Sequence, residues 1–203
     1  MITTTIMLAT KNSDKIKEIV EIIPNFVNVI TFKDFKEIPD VIEDGLSIEE
    51  NSQKKAIEIA KYTSLVTIAD DTGLFVDALG GRPGIYSSRY SGENATYEDN
   101  YIKLLNEMRG LKGRERKASF RCAATLALPD GRFITQVGEV EGIIAIKPRG
   151  NNGFGYDPVF YLPRYRMTFA EMPSDLKNKI SHRAKAFRML EPFIEKVISY
   201  GCL

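Results

Sequence analysis

Five short segments carry side chains of the kind that hold a polyanion and activate water. Thr10-Lys11-Asn12-Ser13-Asp14-Lys15 lies between an apolar run and a helical pattern. There, helix-start N–H groups and the helix dipole favour an anion, and two lysines add charge. The same segment also reads as a capped helix with solvated lysines, and the GxxxxGK[ST] phosphate-loop pattern is absent. Glu43 is followed by Asn51 and Lys55, four residues apart and so on one face of a helix. Lys55 falls at the border of that helix's apolar stripe, where a lysine either snorkels or reaches a ligand; Lys54, farther round, reads as solvated.

Asp70-Asp71 follows a buried-strand pattern. Hard cations such as Mg2+ take carboxylate oxygens, and an ionised Asp can orient or deprotonate water. Neighbouring side chains of an extended segment point to opposite faces, so the two aspartates have different roles. An Asx turn closing the strand is the alternative. Gly153-Phe154-Gly155-Tyr156-Asp157-Pro158 combines close backbone approach with a flat ring on which a base can stack, or is a turn with its aromatics in the core. Lys177 with Ser181-His182-Arg183 gathers donors around a helix start for an anionic or carbonyl-bearing ligand, or simply caps that helix.

The elements that must position these groups follow from periodicity. Residues 6–9 read as a short buried strand, and Ile16, Ile19, Val20 and Ile23 recur at helical spacing until Pro24. Ser47 with Glu50 forms a capping box that opens a helix over about residues 47–62, with Ile48, Ala56, Ile59 and Ala60 on its apolar stripe. Residues 65–69 read as a parallel-type buried strand, placing the acidic pair at its C-terminal end. That is where open α/β sheets bind ligands. Thr96 caps a helix carrying Tyr97, Tyr101, Leu104, Leu105 and Met108, which ends near Gly110, and residues 112–117 form a charged connector. Strand-like segments over 119–128 and 133–146 flank Pro129-Asp130-Gly131-Arg132, a hairpin signal. A Gly/Asn-rich loop over 150–155 precedes 156–161, and a last helix spans about 182–200, with a kink expected at Pro192. The class is α/β with antiparallel additions.

Length and composition narrow the function classes. At 203 residues the chain suits one large domain or two merged lobes, without an independent linker. No apolar run approaches the roughly 18 residues that a spanning helix needs. The 28 basic and 27 acidic side chains leave +1, so no sequence-wide field recruits nucleic acid or an acidic membrane. Cys122 and Cys202 are the only cysteines, which suits a reducing compartment, and residues 1–5 carry no basic and apolar leader pattern. The cytoplasm is the expected location. His182 is the sole histidine, which excludes a multi-histidine zinc site and leaves carboxylates, lysines and arginine to do the chemistry.

Taken in order, the segments resemble the inosine triphosphate pyrophosphatase family, also called Ham1-like or non-canonical purine nucleoside triphosphatase. The resemblance rests on Leu8-Ala9-Thr10-Lys11-Asn12 with Lys15, on Glu43 with Gly45, on Glu50-Asn51 through Lys55-Ala56, and on Ala69-Asp70-Asp71-Thr72-Gly73-Leu74. It continues in residues 78–87 with Arg89-Tyr90, in 153–158 and in Ile180-Ser181-His182-Arg183. It implies hydrolysis of a nucleoside triphosphate between its α and β phosphates, with Mg2+ and a preference for inosine or xanthosine bases (ITP, dITP, XTP). It also implies an elongated mixed α/β fold of two lobes around a central cleft, and a homodimer. By position, Asp71 resembles the family's proton acceptor and metal partner, Glu43 the second metal carboxylate, and Lys55 a catalytic phosphate contact. Thr10, Lys11, Asn12, Ser13, Asp14 and Lys15 match the triphosphate loop, and Asn51 and Thr72 match substrate contacts. Phe154, Gly155, Tyr156 and Asp157 match the base segment, and Lys177, His182 and Arg183 match base or ribose contacts.

The sequence departs from the family pattern at Lys11, where glycine is common, at Asp44, where Thr or Ser often precedes Gly45, and at Thr72, where Ser is usual. A pyrophosphatase for other modified or pyrimidine nucleotides is one alternative reading, and a non-catalytic nucleotide-binding protein is another. Retention of Glu43, Lys55 and Asp71 together argues against the second, because binding alone needs no water-activating carboxylate.

Overall fold

The computed structural model describes residues 5–201 and 203. Residues 1–4, where the leader pattern was sought, and Cys202 lie outside the described residues. Eight strands and five α-helices occur among the described residues. The strands are β1 (Thr5–Leu8), β2 (Asn28–Ile30), β3 (Thr67–Val76), β4 (Pro83–Gly84), β5 (Lys117–Ala127), β6 (Phe133–Ile144), β7 (Phe160–Leu162) and β8 (Met167–Thr168). The helices are α1 (Ser13–Ile22), α2 (Ile48–Thr63), α3 (Tyr97–Glu107), α4 (Ser174–Ile180) and α5 (His182–Tyr200). Strand order is β2-β1-β3-β5-β6-β7-β8, with β4 pairing β3 off this path. β1 runs parallel to β2 and β3, whereas β4, β7 and β8 pair antiparallel, so the sheet is mixed as the patterns require.

The chain divides into two compact units, and the divisions fall inside β3, β5 and β6 and between α4 and α5. The first unit comprises the chain up to Asp71, Cys122–Gly138 and His182 onward. Alternation along its strands sorts side chains onto two faces. Ile6, Leu8 and Ile68 join Ile19 of α1 and Ala186, Phe187, Leu190 and Ile194 of α5 in one core. Met7, Ala9 and Ala69 join Ala56, Ile59 and Ala60 of α2 in the other. Extending this alternation by two residues sends Asp70 toward α1 and α5, and Asp71 toward α2.

The second unit comprises Thr72–Arg121 and Glu139–Ser181. Its core gathers Leu74, Val76, Leu104, Met108, Val159 and three phenylalanines. The Phe120 and Phe160 rings meet edge to face at 4.7 Å, and Phe160 and Phe169 lie 5.1 Å apart. Arg116, within the charged connector, is buried. Its guanidinium donates to the carbonyls of Ile144 at 2.6 Å, Met108 at 2.9 Å, Leu111 at 3.3 Å and Ala145 at 2.8 Å. Nothing in the spacing of Lys112–Lys117 distinguishes that arginine from its solvated neighbours.

Three further differences separate the pattern reading from the fold. The strand expected over 65–69 starts at Thr67 and runs through Asp70, Asp71, Thr72 and Gly73 to Val76, so the acidic pair sits inside a strand rather than at its end. Asp, Thr and Gly signal a turn locally. Partners on both faces make the extended form affordable, and tertiary context overrides propensity. α4 was not anticipated; it carries Lys177 on a helix of seven residues, too short to show a period. The capping box expected from Ser47 and Glu50 is half formed, because Glu50 accepts from the Leu46 amide instead of that of Ser47, whereas α5 spans 182–200 as expected with Pro192 inside it.

Gly138 has its own constraint. A Cβ there would collide with the His182 carbonyl and the Ala186 amide nitrogen of α5. Gly138→Ala is therefore expected to destabilise the fold by roughly 1–3 kcal/mol or more, as overpacking against backbone does. A urea midpoint unchanged from wild type would contradict this close approach.

Candidate active site

The N-terminal loop begins where β1 ends. Asn12 caps α1, its side-chain oxygen accepting from the Asp14 amide at 2.9 Å and the Lys15 amide at 3.1 Å, and Thr10 Oγ1 accepts from the Asn12 amide at 3.2 Å. The loop is thus a capped helix start, and its lysines point to carboxylates. Lys11 is exposed, pairs with Asp40 and lies over the Phe32 ring at 5.6 Å. Lys15 turns inward to Asp70 Oδ2 at 3.0 Å. Ser13 opens α1, with Asp14 in its first turn.

Asp70 is fully buried. Besides Lys15 it receives Arg183 Nε at 3.4 Å and Nη2 at 3.3 Å, and the Cys122 thiol lies 4.0 Å away. Arg183 Nη1 donates to Glu18 on α1. Burial alone would raise the Asp70 carboxyl, but Lys15, and after it Arg183, holds it well below the usual carboxylate range. The reciprocal effect is seen in the cations. Burial works against charge on Lys15 and Arg183, but Asp70 holds both above their ordinary values, aided by Glu18 at Arg183. Arg183, expected among the base or ribose contacts, is in this structure a buried partner of Asp70 and Glu18. Its neighbour His182 is buried as well. The sequence offered only a weak sign of this cluster: Lys15 and Glu18 stand three apart on α1, and adjacent aspartates must face apart.

The other face of β3 meets α2. Ser47 caps that helix, accepting from the Glu50 amide at 3.1 Å, while Glu50 accepts from the Leu46 amide at 2.7 Å. Asn51 Nδ2 donates to Asp71 Oδ2 at 3.3 Å, and Lys55 Nζ donates to Glu43 Oε1 at 2.8 Å. Asn51 and Lys55, one turn apart on α2, thus hold Asp71 and Glu43 respectively, with Lys55 and Asp71 each 8% exposed. Lys54, expected to be solvated, pairs with Asp44 at 2.7 Å. Burial of the α2 stripe brings Lys55 to the margin of the core, as its position in the pattern requires.

The second unit brings together the Gly-rich segment and α4. Asp157 Oδ2 accepts from the Phe154 amide at 2.9 Å and from the buried Lys177 ammonium. That ammonium also lies 5.3 Å from the Phe154 ring centre. Phe154 is half-buried, 5.7 Å from the Tyr97 ring. Gly153 has φ +71, and a Cβ there would run into the Asp157 carboxylate, so glycine is needed twice over. Gly155 also lies in the left-handed region, at φ +63. Tyr156 belongs to the core, its hydroxyl donating to the Ser87 carbonyl at 2.9 Å. Thr72 is half-buried on β3.

The arrangement in the first unit can do two things chemically. It presents ammonium groups to a polyanion, and it holds an ionisable aspartate beside an amide donor at the edge of the solvent. Among the described residues no group of three or more His, Cys, Asp or Glu side chains stands together. A cation here would draw on Glu43 and Asp71. That donor set fits Mg2+, which binds through one or two carboxylates and completes its shell with phosphate oxygens and water.

Comparison with known proteins shows what the whole chain is similar to. The model of the Ham1 family matches residues 6–193. The dITP/XTP pyrophosphatase of Geobacter sulfurreducens is 46% identical over 189 residues, which are 93% of this chain and 95% of that protein. The solved structure of the Staphylococcus aureus Ham1 protein superposes with a TM-score of 0.84 at 41% identity, covering 95% of this chain and 98% of that one. A HAM1 protein from Coxiella burnetii gives 0.86 at 38% identity, covering 96% and 100%.

The Asp70 cluster gives a pH prediction. Its folded carboxyl lies below the ordinary 3.8, so the stability it contributes is fully present above the unfolded-state value and is lost as pH falls toward the folded one. Asp70→Asn is expected to cost about 3–5 kcal/mol at neutral pH, because two buried cations lose a partner. The variant should then lose less on acidification to about pH 3 than wild type does. Urea melts across that range check it, and parallel acid slopes would show that Asp70 does not carry the effect.

Proposed function

This chain belongs to the Ham1 family, and from that premise we propose that it is a nucleoside triphosphate pyrophosphatase acting on non-canonical purine nucleotides such as dITP, XTP and ITP. Water splits the α–β phosphoanhydride, the nucleoside monophosphate and pyrophosphate leave, and the precursor pool is cleared of deaminated purines. The observation that carries this reading is the pair of contacts made from one face of α2: Lys55 on Glu43, and Asn51 on Asp71.

In this reading Asp71 orients the attacking water and accepts its proton. Lys55 and Lys11 meet phosphate oxygens in exchange for their present carboxylate partners, and Lys15 adds its charge from its place on Asp70, so the tetra-anionic chain finds cations already in place. Thr10, Asn12, Ser13, Asp14 and Thr72 line the phosphate end. Mg2+, held by Glu43 and Asp71, would neutralise charge developing on the phosphates. Phe154 stacks the base, with Gly155, Tyr156 and Asp157 shaping that segment and Lys177 offering a donor beside it. Arg183 contributes through Asp70, and His182 lies beside it. A site that donates to a 6-oxo group faces donor with donor when adenine presents its amino group, which disfavours ATP.

No helix among the described residues is long and apolar enough to cross a membrane. The cytoplasm, as a reducing compartment, and a homodimer complete the reading.

The test is pyrophosphate release from ITP, XTP, dITP, GTP, ATP and CTP with Mg2+, with the nucleotide product identified. Conversion of dITP and XTP to monophosphates at least about ten-fold faster than ATP is expected, a discrimination of about 1.4 kcal/mol. Preference for pyrimidines would overturn the base assignment, and inert triphosphates that still bind would overturn the catalytic one. Asp71→Asn should lower kcat about 10²–10⁴-fold with an unchanged melting temperature; near-normal turnover would remove Asp71 from the mechanism. Phe154→Ala should raise KM by roughly five-fold or more through lost stacking, and an unaltered KM would sink that role.

A further inference from the structure

We propose that Asn51 is a positioning residue that fixes the spacing of Glu43 and Asp71, rather than a contact for substrate. The proposal rests on the reading above, in which those two carboxylates work together.

The geometry assigns both ends of its amide. Asn51 is 2% exposed. Its Oδ1 accepts from the backbone N–H of Gly45 at 2.8 Å, and its Nδ2 donates to Asp71 Oδ2 at 3.3 Å. An N–H can only donate, so the Gly45 end fixes the amide oxygen there and turns the NH2 toward Asp71. One planar group thus spans from the loop two residues beyond Glu43 to the strand that carries Asp71.

Gly45 shows that the span is tight. A Cβ at this position would stand 2.7 Å from Asn51 Oδ1 and 2.8 Å from Glu50 Cβ. The glycine therefore serves close approach of the loop to α2. The bonds from Leu46 to Glu50 and from Glu50 to Ser47 close the same junction from the helix side. One turn on, Lys55 holds the Glu43 side chain. α2 thus carries the loop by its backbone through Asn51 and by its carboxylate through Lys55, and Asn51 also reaches Asp71. Outer partners of this kind are what hold ligating carboxylates in place.

Asn51→Ala removes both bonds, whereas Gly45→Ala opens the bridge from its far end and touches neither carboxylate. With wild type confirmed active and all variants shown to melt cooperatively, kcat is expected to fall by about ten-fold or more in each, with nucleotide KM changed by less than about three-fold. The double variant should cost no more than the worse single one, because both break one bridge. Titration of the nucleotide-free proteins with Mn2+, followed by electron paramagnetic resonance, should show binding weakened by about ten-fold in the same variants.

A raised KM in Asn51→Ala that Gly45→Ala does not share would identify Asn51 as a substrate contact and overturn the proposal. Wild-type kcat and Mn2+ affinity in both variants would overturn it too, leaving a purely structural bond. An inactive wild type would instead overturn the pyrophosphatase reading. The Mn2+ titrations of the four proteins would still decide whether Asn51 governs the carboxylate pair.

Discussion

A carboxylate with no solvent exposure at the centre of the first unit dictates much of what surrounds it. Taking one such ion out of water costs several kcal/mol unless charge and hydrogen bonds meet it. Asp70 is met by Lys15 from α1 and Arg183 from α5, and Arg183 is balanced in turn by Glu18. The starts of two helices distant in sequence must therefore arrive at one point on β3. Asn12 has to cap α1 where Lys15 can turn inward, and α5 has to begin close enough for Arg183 to reach, which Gly138 permits by presenting no side chain to it. The inward turn of Lys15 is thus set by a buried carboxylate on β3.

The period-two geometry of a strand turns one dipeptide into two environments. Asp70 faces the ionic core and remains ionised with its cations; Asp71, one residue later, faces α2 and receives an amide. The helix facing it repeats near 3.6 residues, so Asn51 and Lys55 stack on one side and address Asp71 and Glu43. Asp71 on its strand and Glu43 in the loop before α2 are therefore met from one face of that helix. The α2 stripe of Ile48, Ala56, Ile59 and Ala60 secures the helix by burial.

Much of this was legible in the residues. The Ser47 and Thr96 caps, the hairpin over 129–132 and the border position of Lys55 follow from local rules, and the structure realises each. What stayed hidden depends on distant partners. Asp-Asp-Thr-Gly carries turn propensity, and only Lys15, Arg183 and Asn51 explain why the strand continues through it. Arg183 stood in a donor-rich motif and gave no sign of its buried carboxylates. α4 is too short to announce itself by period, although it carries Lys177 to Asp157.

The buried arginine of the second unit has a meaning that emerges beside the first unit's cluster. Arg116 gives its protons to four main-chain carbonyls of Met108, Leu111, Ile144 and Ala145. Carbonyls do not titrate, and the fork of a guanidinium reaches several of them where an ammonium offers one point. Acid that protonates Asp70 leaves these acceptors unaltered. Each unit thus has its own internal rivet, opposed charges in the first and charge against dipoles in the second, and acidification acts on the first kind while sparing the other.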